Sequence, residues 1–132
     1  MPPEIGNLTK LTHLDLEINQ LTSVEGVEKL TNLQGLRLDD NQLTSVEGVE
    51  KLKNLEMLWL DDNQLTRVPP EIGNLINLEE LRLGNNQLTR IPPEIGNLTN
   101  LTELRLSNNQ LTSVEGVEKL TSLQGLRLDD NQ

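Results

Sequence analysis

Leu33-Gln34-Gly35-Leu36-Arg37-Leu38-Asp39-Asp40-Asn41-Gln42 is one of six versions of the same ten-residue string in this 132-residue chain. All six keep the leucines and close on an Asn-Gln pair: Asn19-Gln20, Asn41-Gln42, Asn63-Gln64, Asn86-Gln87, Asn109-Gln110 and Asn131-Gln132. Successive pairs are 22, 22, 23, 23 and 22 residues apart. A fixed period of this length marks a repeat architecture, in which each unit buries its apolar side only against its neighbours.

Within the string, Leu36 and Leu38 flank Arg37. Strand side chains alternate between faces, so both leucines point inward and Arg37 outward. One short strand per unit, always in the same direction and joined by a return segment, predicts a parallel sheet. The closing asparagines sit where the chain leaves the sheet. Their amides are suited to pair backbone groups that the turn strands, so Asn19, Asn41, Asn63, Asn86, Asn109 and Asn131 are expected to form a buried ladder. Leu21, Leu43, Leu65, Leu88 and Leu111 then bring the apolar side back to the core.

The return segments come in two spellings. One reads S-V-E-G-V-E-K-L, as at Ser23–Leu30, and the other P-P-E-I-G-N-L, as at Pro69–Leu75, with one residue more between asparagine pairs. Tandem proline fixes an extended entry into a short turn, Ile5, Ile72 or Ile95 packs inward, and Gly6, Gly73 or Gly96 is expected to supply a positive backbone angle.

The L-x-x-L-x-L-x-x-N string and its period resemble the leucine-rich repeat family over the whole chain. The 22-residue form is similar to repeats of a protein phosphatase 1 regulatory subunit, and the 23-residue form to those of bacterial and Ras-associated proteins. The resemblance implies an α/β-type solenoid, a right-handed superhelix with a concave parallel sheet of about six short strands and convex loops or 3₁₀ turns. It reads as one domain over residues 1–132, with units 1–20, 21–42, 43–64, 65–87, 88–110 and 111–132. Repeats of this kind serve many binding tasks, so the resemblance names no ligand.

Composition narrows the partner. A net charge of −10 and a single aromatic residue, Trp59, argue against nucleic acid, whose phosphates would be repelled and whose bases would find no stacking platform. The same charge opposes anionic lipid, and no apolar run approaches the ~20 residues of a membrane helix. There is no cysteine to staple an end cap and no secretory signal after Met1, so the cytoplasm is the default location. Three N-L-T sequons, beginning at Asn7, Asn97 and Asn100, read as by-products of the repeat phrase.

If the family geometry holds, the third, fifth, seventh and eighth residues of each string look out from the concave sheet. Trp59 then stands in the third strand with Met57 two residues before it, Arg37 and Arg82 on either side, and Gly35 leaving room beside Met57. Trp, Arg and Met are the residues of binding hot spots. Arg82 and Arg105 form a stripe bordered by Glu80 and Glu103. Trp59, Met57, Arg37, Arg82, Arg105, Asp39 and Asp61 are the candidate partner-binding residues; the competing reading is an internally paired, solvated surface.

Asp39, Asp40, Asp61 and Asp62 suggest a hard cation, yet a rigid sheet does not wrap an ion, and no metal or other cofactor is expected. His13, Asp15 and Glu17 share a face without a nucleophile or pocket, so no enzyme is expected. The chain carries no polar capping unit at either end, which fits a piece of a longer array, an engineered chain, or head-to-tail self-association with Gln132 of one copy against Met1 of the next. The expected function is a protein–protein interaction module binding another protein on its concave face. The alternative is a structural or self-assembling repeat scaffold without an evolved ligand.

Overall fold

A computed structural model describes residues 1–131. Gln132 lies outside the described residues, and with it the expected abutment on Met1. Six three-residue strands form one open parallel sheet in sequence order: β1 (His13–Asp15), β2 (Gly35–Arg37), β3 (Met57–Trp59), β4 (Glu80–Arg82), β5 (Glu103–Arg105) and β6 (Gly125–Arg127). Equivalent residues of neighbouring units face each other, as in Leu36↔Leu58, Leu58↔Leu81 and Leu81↔Leu104. A right-handed solenoid results, with a 3₁₀ turn in each return segment. Among the described residues no helix is long and apolar enough to cross a membrane.

The interior is a stack of aliphatic ladders. Leu36, Leu58, Leu81 and Leu104 are fully buried, as are Leu43, Leu65 and Leu88 after the asparagine turn and Leu30, Leu52, Leu75 and Leu98 on the return side. Each buried leucine gains about 1.5–3 kcal/mol over its exposed state, and the aliphatic layers repeat closely enough to interlock. Unit one is thinner: Leu11, Leu14 and Leu16 are only half-buried.

The asparagine ladder forms. Asn86 Nδ2 donates to the carbonyls of Leu60 at 3.0 Å, Leu83 at 3.0 Å and Gly84 at 3.1 Å, and its Oδ1 accepts the Leu65 N–H at 3.0 Å. One amide therefore ties two units together through four backbone groups. Asn41, Asn63 and Asn109 do the same and are buried, whereas Asn19 is exposed and its side chain bonds only within its own unit. A second ladder runs beside it. Asn32, Asn54, Asn77 and Asn100, just ahead of each string, donate Nδ2 to the preceding unit's Thr9, Thr31, Lys53 and Ile76 carbonyls.

The glycine expectation is corrected. Positive φ belongs to Gly26, Gly48 and Gly116 of the shorter spelling, at 97°, 102° and 101°, and not to Gly6, Gly73 or Gly96. Those three are needed for close approach instead: a Cβ on Gly73 would lie 2.7 Å from the Glu94 carbonyl oxygen of the next unit. In the shorter spelling, the second glutamate folds back on the turn, so that Glu28, Glu50 and Glu118 accept the N–H of Gly26, Gly48 and Gly116.

Candidate protein-binding face

The outward face of β3 and its neighbours brings the predicted residues together. Register places Arg37 opposite Trp59 and Trp59 opposite Arg82. Both guanidinium groups lie over the indole, with Cζ 4.4 Å from the ring centroid for Arg37 and 3.6 Å for Arg82. The ring is thus clamped on both sides, each contact contributing about 0.5–1 kcal/mol. The indole N–H has no hydrogen-bond partner within the chain.

Each arginine is flanked by carboxylates. Arg37 pairs with Glu17, with Asp15 at 3.5 Å and with Asp39 at 3.6 Å. Arg82 lies 3.5 Å from Glu103 and 3.9 Å from Glu80, but its Nε is not aligned for a hydrogen bond. Arg105 stands beside Arg82 in register and donates Nε to Glu103 at 2.6 Å. Glu80 faces Glu103 directly. Burial and the neighbouring Glu103 carboxylate raise the Glu80 pKa, whereas Arg105 and Arg82 outweigh burial at Glu103 and lower it.

Met57 is half-buried and leans into the space left by Gly35: its Cε lies 3.2 Å, and the His13 Cδ2 2.8 Å, from where a Gly35 side chain would begin. That space is taken by the protein's own side chains. Asp61 accepts the Gly84 N–H at 2.7 Å; burial nonetheless raises its pKa, against the pull of that bond and of Arg82. Beside it, Gly84 helps to open a hollow of about 260 Å³ lined by Asp61, Arg105, Ser107, Arg127 and Asp129 at the ends of β4, β5 and β6.

The eighth column does not continue the strand face. Ile18, Asp40, Asp62, Asn85, Asn108 and Asp130 all adopt positive φ, between 54° and 59°, and form the turn at the lip of the sheet. Asp and Asn tolerate this left-handed geometry, which explains their recurrence. The signal was legible, because five of the six are Asp or Asn. The four clustered aspartates therefore divide: Asp39 faces Arg37, Asp61 takes the Gly84 N–H, and Asp40 and Asp62 turn the chain. Among the described residues no three His, Asp or Glu side chains converge as a metal site would require. His13 bonds Thr12 Oγ1 at 3.1 Å and packs over Gly35, while Asp15 accepts the Glu17 N–H.

These features define a class: a parallel-stranded repeat solenoid with an asparagine ladder behind the sheet and a varied polar face in front. A model of the leucine-rich repeat region matches residues 39–132, and one of paired leucine-rich repeats matches residues 9–51. The chain belongs to the leucine-rich repeat family. It is similar to an internalin, inlF, from Listeria monocytogenes, with 31% identity and a TM-score of 0.87 over 96% of this chain and 37% of that one. It is also similar to a leucine-rich repeat protein of Leptospira interrogans, with 31% identity and a TM-score of 0.73 over the whole of this chain and 46% of that one. PEPR1 in the structure of PEPR1-AtPEP1 gives 30% identity and a TM-score of 0.90, again over this whole chain and 20% of that one. The chain thus spans less than half the length of each. No curated protein matches the sequence.

Proposed function

We propose that this chain is a protein-binding module that engages its partner across the concave face of the sheet, with the Trp59 clamp at the centre. The leucine-rich repeat is a common protein-interaction fold, and its relatives here include an internalin and PEPR1-AtPEP1. The observation that carries the proposal is the Trp59 platform itself. The chain's single aromatic ring stands half-buried on the open face, pre-ordered by Arg37 and Arg82, so little side-chain entropy is left to lose on binding. Leucine-rich repeat proteins generally bind and do not catalyse, and the open face offers no enclosure from which water is excluded.

The test is selection of a displayed random-peptide library on the intact chain, followed by mapping of the binders. Trp59→Ala and Arg105→Glu on the concave face should abolish capture, whereas Lys53→Ala on the return side should not. Binders that survive both concave substitutions would sink the proposal.

A second reading rests on the same clamp. Arg37 and Arg82 stack on Trp59 within the chain, and units two and six differ only at Asn32 against Ser122, as a scaffold without a ligand would allow. Under it the same selection yields no binder that Trp59→Ala affects.

A further inference from the structure

The concave face is electrically lopsided. In units one to three Asp15, Glu17, Asp39, Asp40, Asp61 and Asp62 stand on the face and its lip against Arg37 alone, giving −6 and +1, a sum of −5. In units four to six Glu80, Glu103, Asp129 and Asp130 stand against Arg82, Arg105 and Arg127, giving −4 and +3, a sum of −1. Arg37 is already engaged by Asp15, Glu17 and Asp39, which leaves it nothing for the lip. Asp40 and Asp62 are exposed and have no cationic partner among the described residues. Asp39 Oδ1 is a buried acceptor without a hydrogen-bond partner.

The first unit adds an apolar element to this acidic half. Ile18 is 73% exposed and sits in the left-handed turn at φ 55°, where the other five units carry Asp or Asn. A β-branched residue is the poorest fit to that geometry. Ile18 therefore contributes apolar surface on the acidic side of the face, next to Asp40 of the following unit, and does nothing for the turn.

Resting on the concave-face reading above, we infer that the partner docks a lysine- or arginine-rich protein segment on the acidic half of the sheet, from β1 to β3, with one aliphatic side chain against Ile18. The incoming cations relieve repulsion among like charges. Partial desolvation of its carboxyl is the largest cause of the raised Asp62 pKa, and the neighbouring Asp40 and Asp39 carboxylates add to it. The near-neutral half from β4 to β6 keeps its arginines paired with its own carboxylates and sets the register of the segment.

The variants are supplied by the chain's own repeats. Asn occupies the lip at Asn85 and Asn108, so Asp40→Asn with Asp62→Asn removes two charges without disturbing the turn. The probe is a synthetic lysine-rich peptide carrying one leucine, compared with its glutamate counterpart by calorimetry and by the fluorescence of Trp59. The lysine peptide is expected to bind, more weakly as salt rises, and the glutamate peptide not. Asp40→Asn/Asp62→Asn should weaken binding about tenfold. Ile18→Asn should weaken it about fivefold while raising the melting temperature, a pairing that a purely structural residue would not show. Asn85→Asp/Asn108→Asp should strengthen it.

Equal affinity for the two peptides, or unchanged affinity in Asp40→Asn/Asp62→Asn, overturns the inference. So does an Ile18→Asn variant that gains stability and keeps full affinity, or spermine binding as tightly as the peptide, which would mark a small polyamine and not a protein segment. Library binders that map to Trp59 but carry no basic residues defeat this inference and leave the concave-face proposal standing. A lysine peptide indifferent to Trp59→Ala and to both lip variants defeats both.

Discussion

Behind the sheet the six units carry nearly the same residues; in front of it they vary. The rear face repeats leucine against leucine and asparagine against backbone, and through the central units the same ladder contacts recur from one unit to the next. The front face passes from His13 and Asp15 through Met57 and Trp59 to Glu103 and Arg105. Identical neighbours give the rear its stability, because each ladder step adds the same burial and the same hydrogen bonds. Different neighbours give the front a local chemistry, and with it the capacity to distinguish one partner from another. A substitution behind the sheet should therefore register as stability, and one in front chiefly as binding.

The sharpest contrast is Asn86→Ala. It strands the Leu65 N–H and takes one of two donors from the Leu60, Leu83 and Gly84 carbonyls, so equilibrium unfolding in urea should show a loss of about 2–4 kcal/mol. Asn19→Ala, at an exposed position whose side chain bonds only within its own unit, should lose less than about 1 kcal/mol. Equal losses at the two sites would break the view that bridging between units is what the ladder contributes.

In front, Trp59→Ala removes two cation–π contacts and should lower stability by about 1–2 kcal/mol with the far-ultraviolet circular dichroism unchanged. A double-mutant cycle with Arg82→Ala should recover part of that as coupling. A collapse of the spectrum would make Trp59 a structural residue and erase the distinction between the two faces.

A smaller effect concerns Asp61, whose carboxyl is both hydrogen-bonded and half-buried. Burial holds its pKa above the ordinary 3.8 despite the Gly84 N–H and Arg82. A carboxyl with a folded-state pKa above its unfolded value binds the proton more tightly when folded. Its contribution is present below the unfolded pKa and lost as pH rises through the folded one. The stability of the native chain minus that of Asp61→Asn should thus fall as pH rises from 3.8 through the raised pKa, then level off. A difference that grows with pH would show the hydrogen bond and Arg82 outweighing burial.

The smallest effect tests the second ladder. Ser122 stands where Asn32, Asn54, Asn77 and Asn100 reach back to the preceding unit. Ser122→Asn should add a bond to the Thr99 carbonyl and about 0.5 kcal/mol of stability, measured by thermal unfolding. No gain would mean that those exposed bonds compete evenly with water.

What the amino-acid sequence determined by itself is the rear of the molecule: the period, the strand at each Leu-x-Leu, the inward leucines and the bridging asparagines. These follow from local alternation and from a neighbour that is always another copy, so reading one unit reads them all. The conformations of the glycines and of the eighth column needed the structure, because whether a residue serves a left-handed turn or a close approach depends on how tightly the next unit packs. The second asparagine ladder also needed it, since an exposed amide finds its carbonyl only once the units are stacked. On the front face the sequence placed Arg37, Trp59 and Arg82 side by side. Only the tertiary structure decided that both arginines stack on the ring, that Met57 and His13 fill the space at Gly35, and that Arg37 is consumed by three carboxylates. Long polar side chains choose among several partners within reach, and that choice is made by register and rotamer across neighbouring strands, which one repeat read alone does not contain.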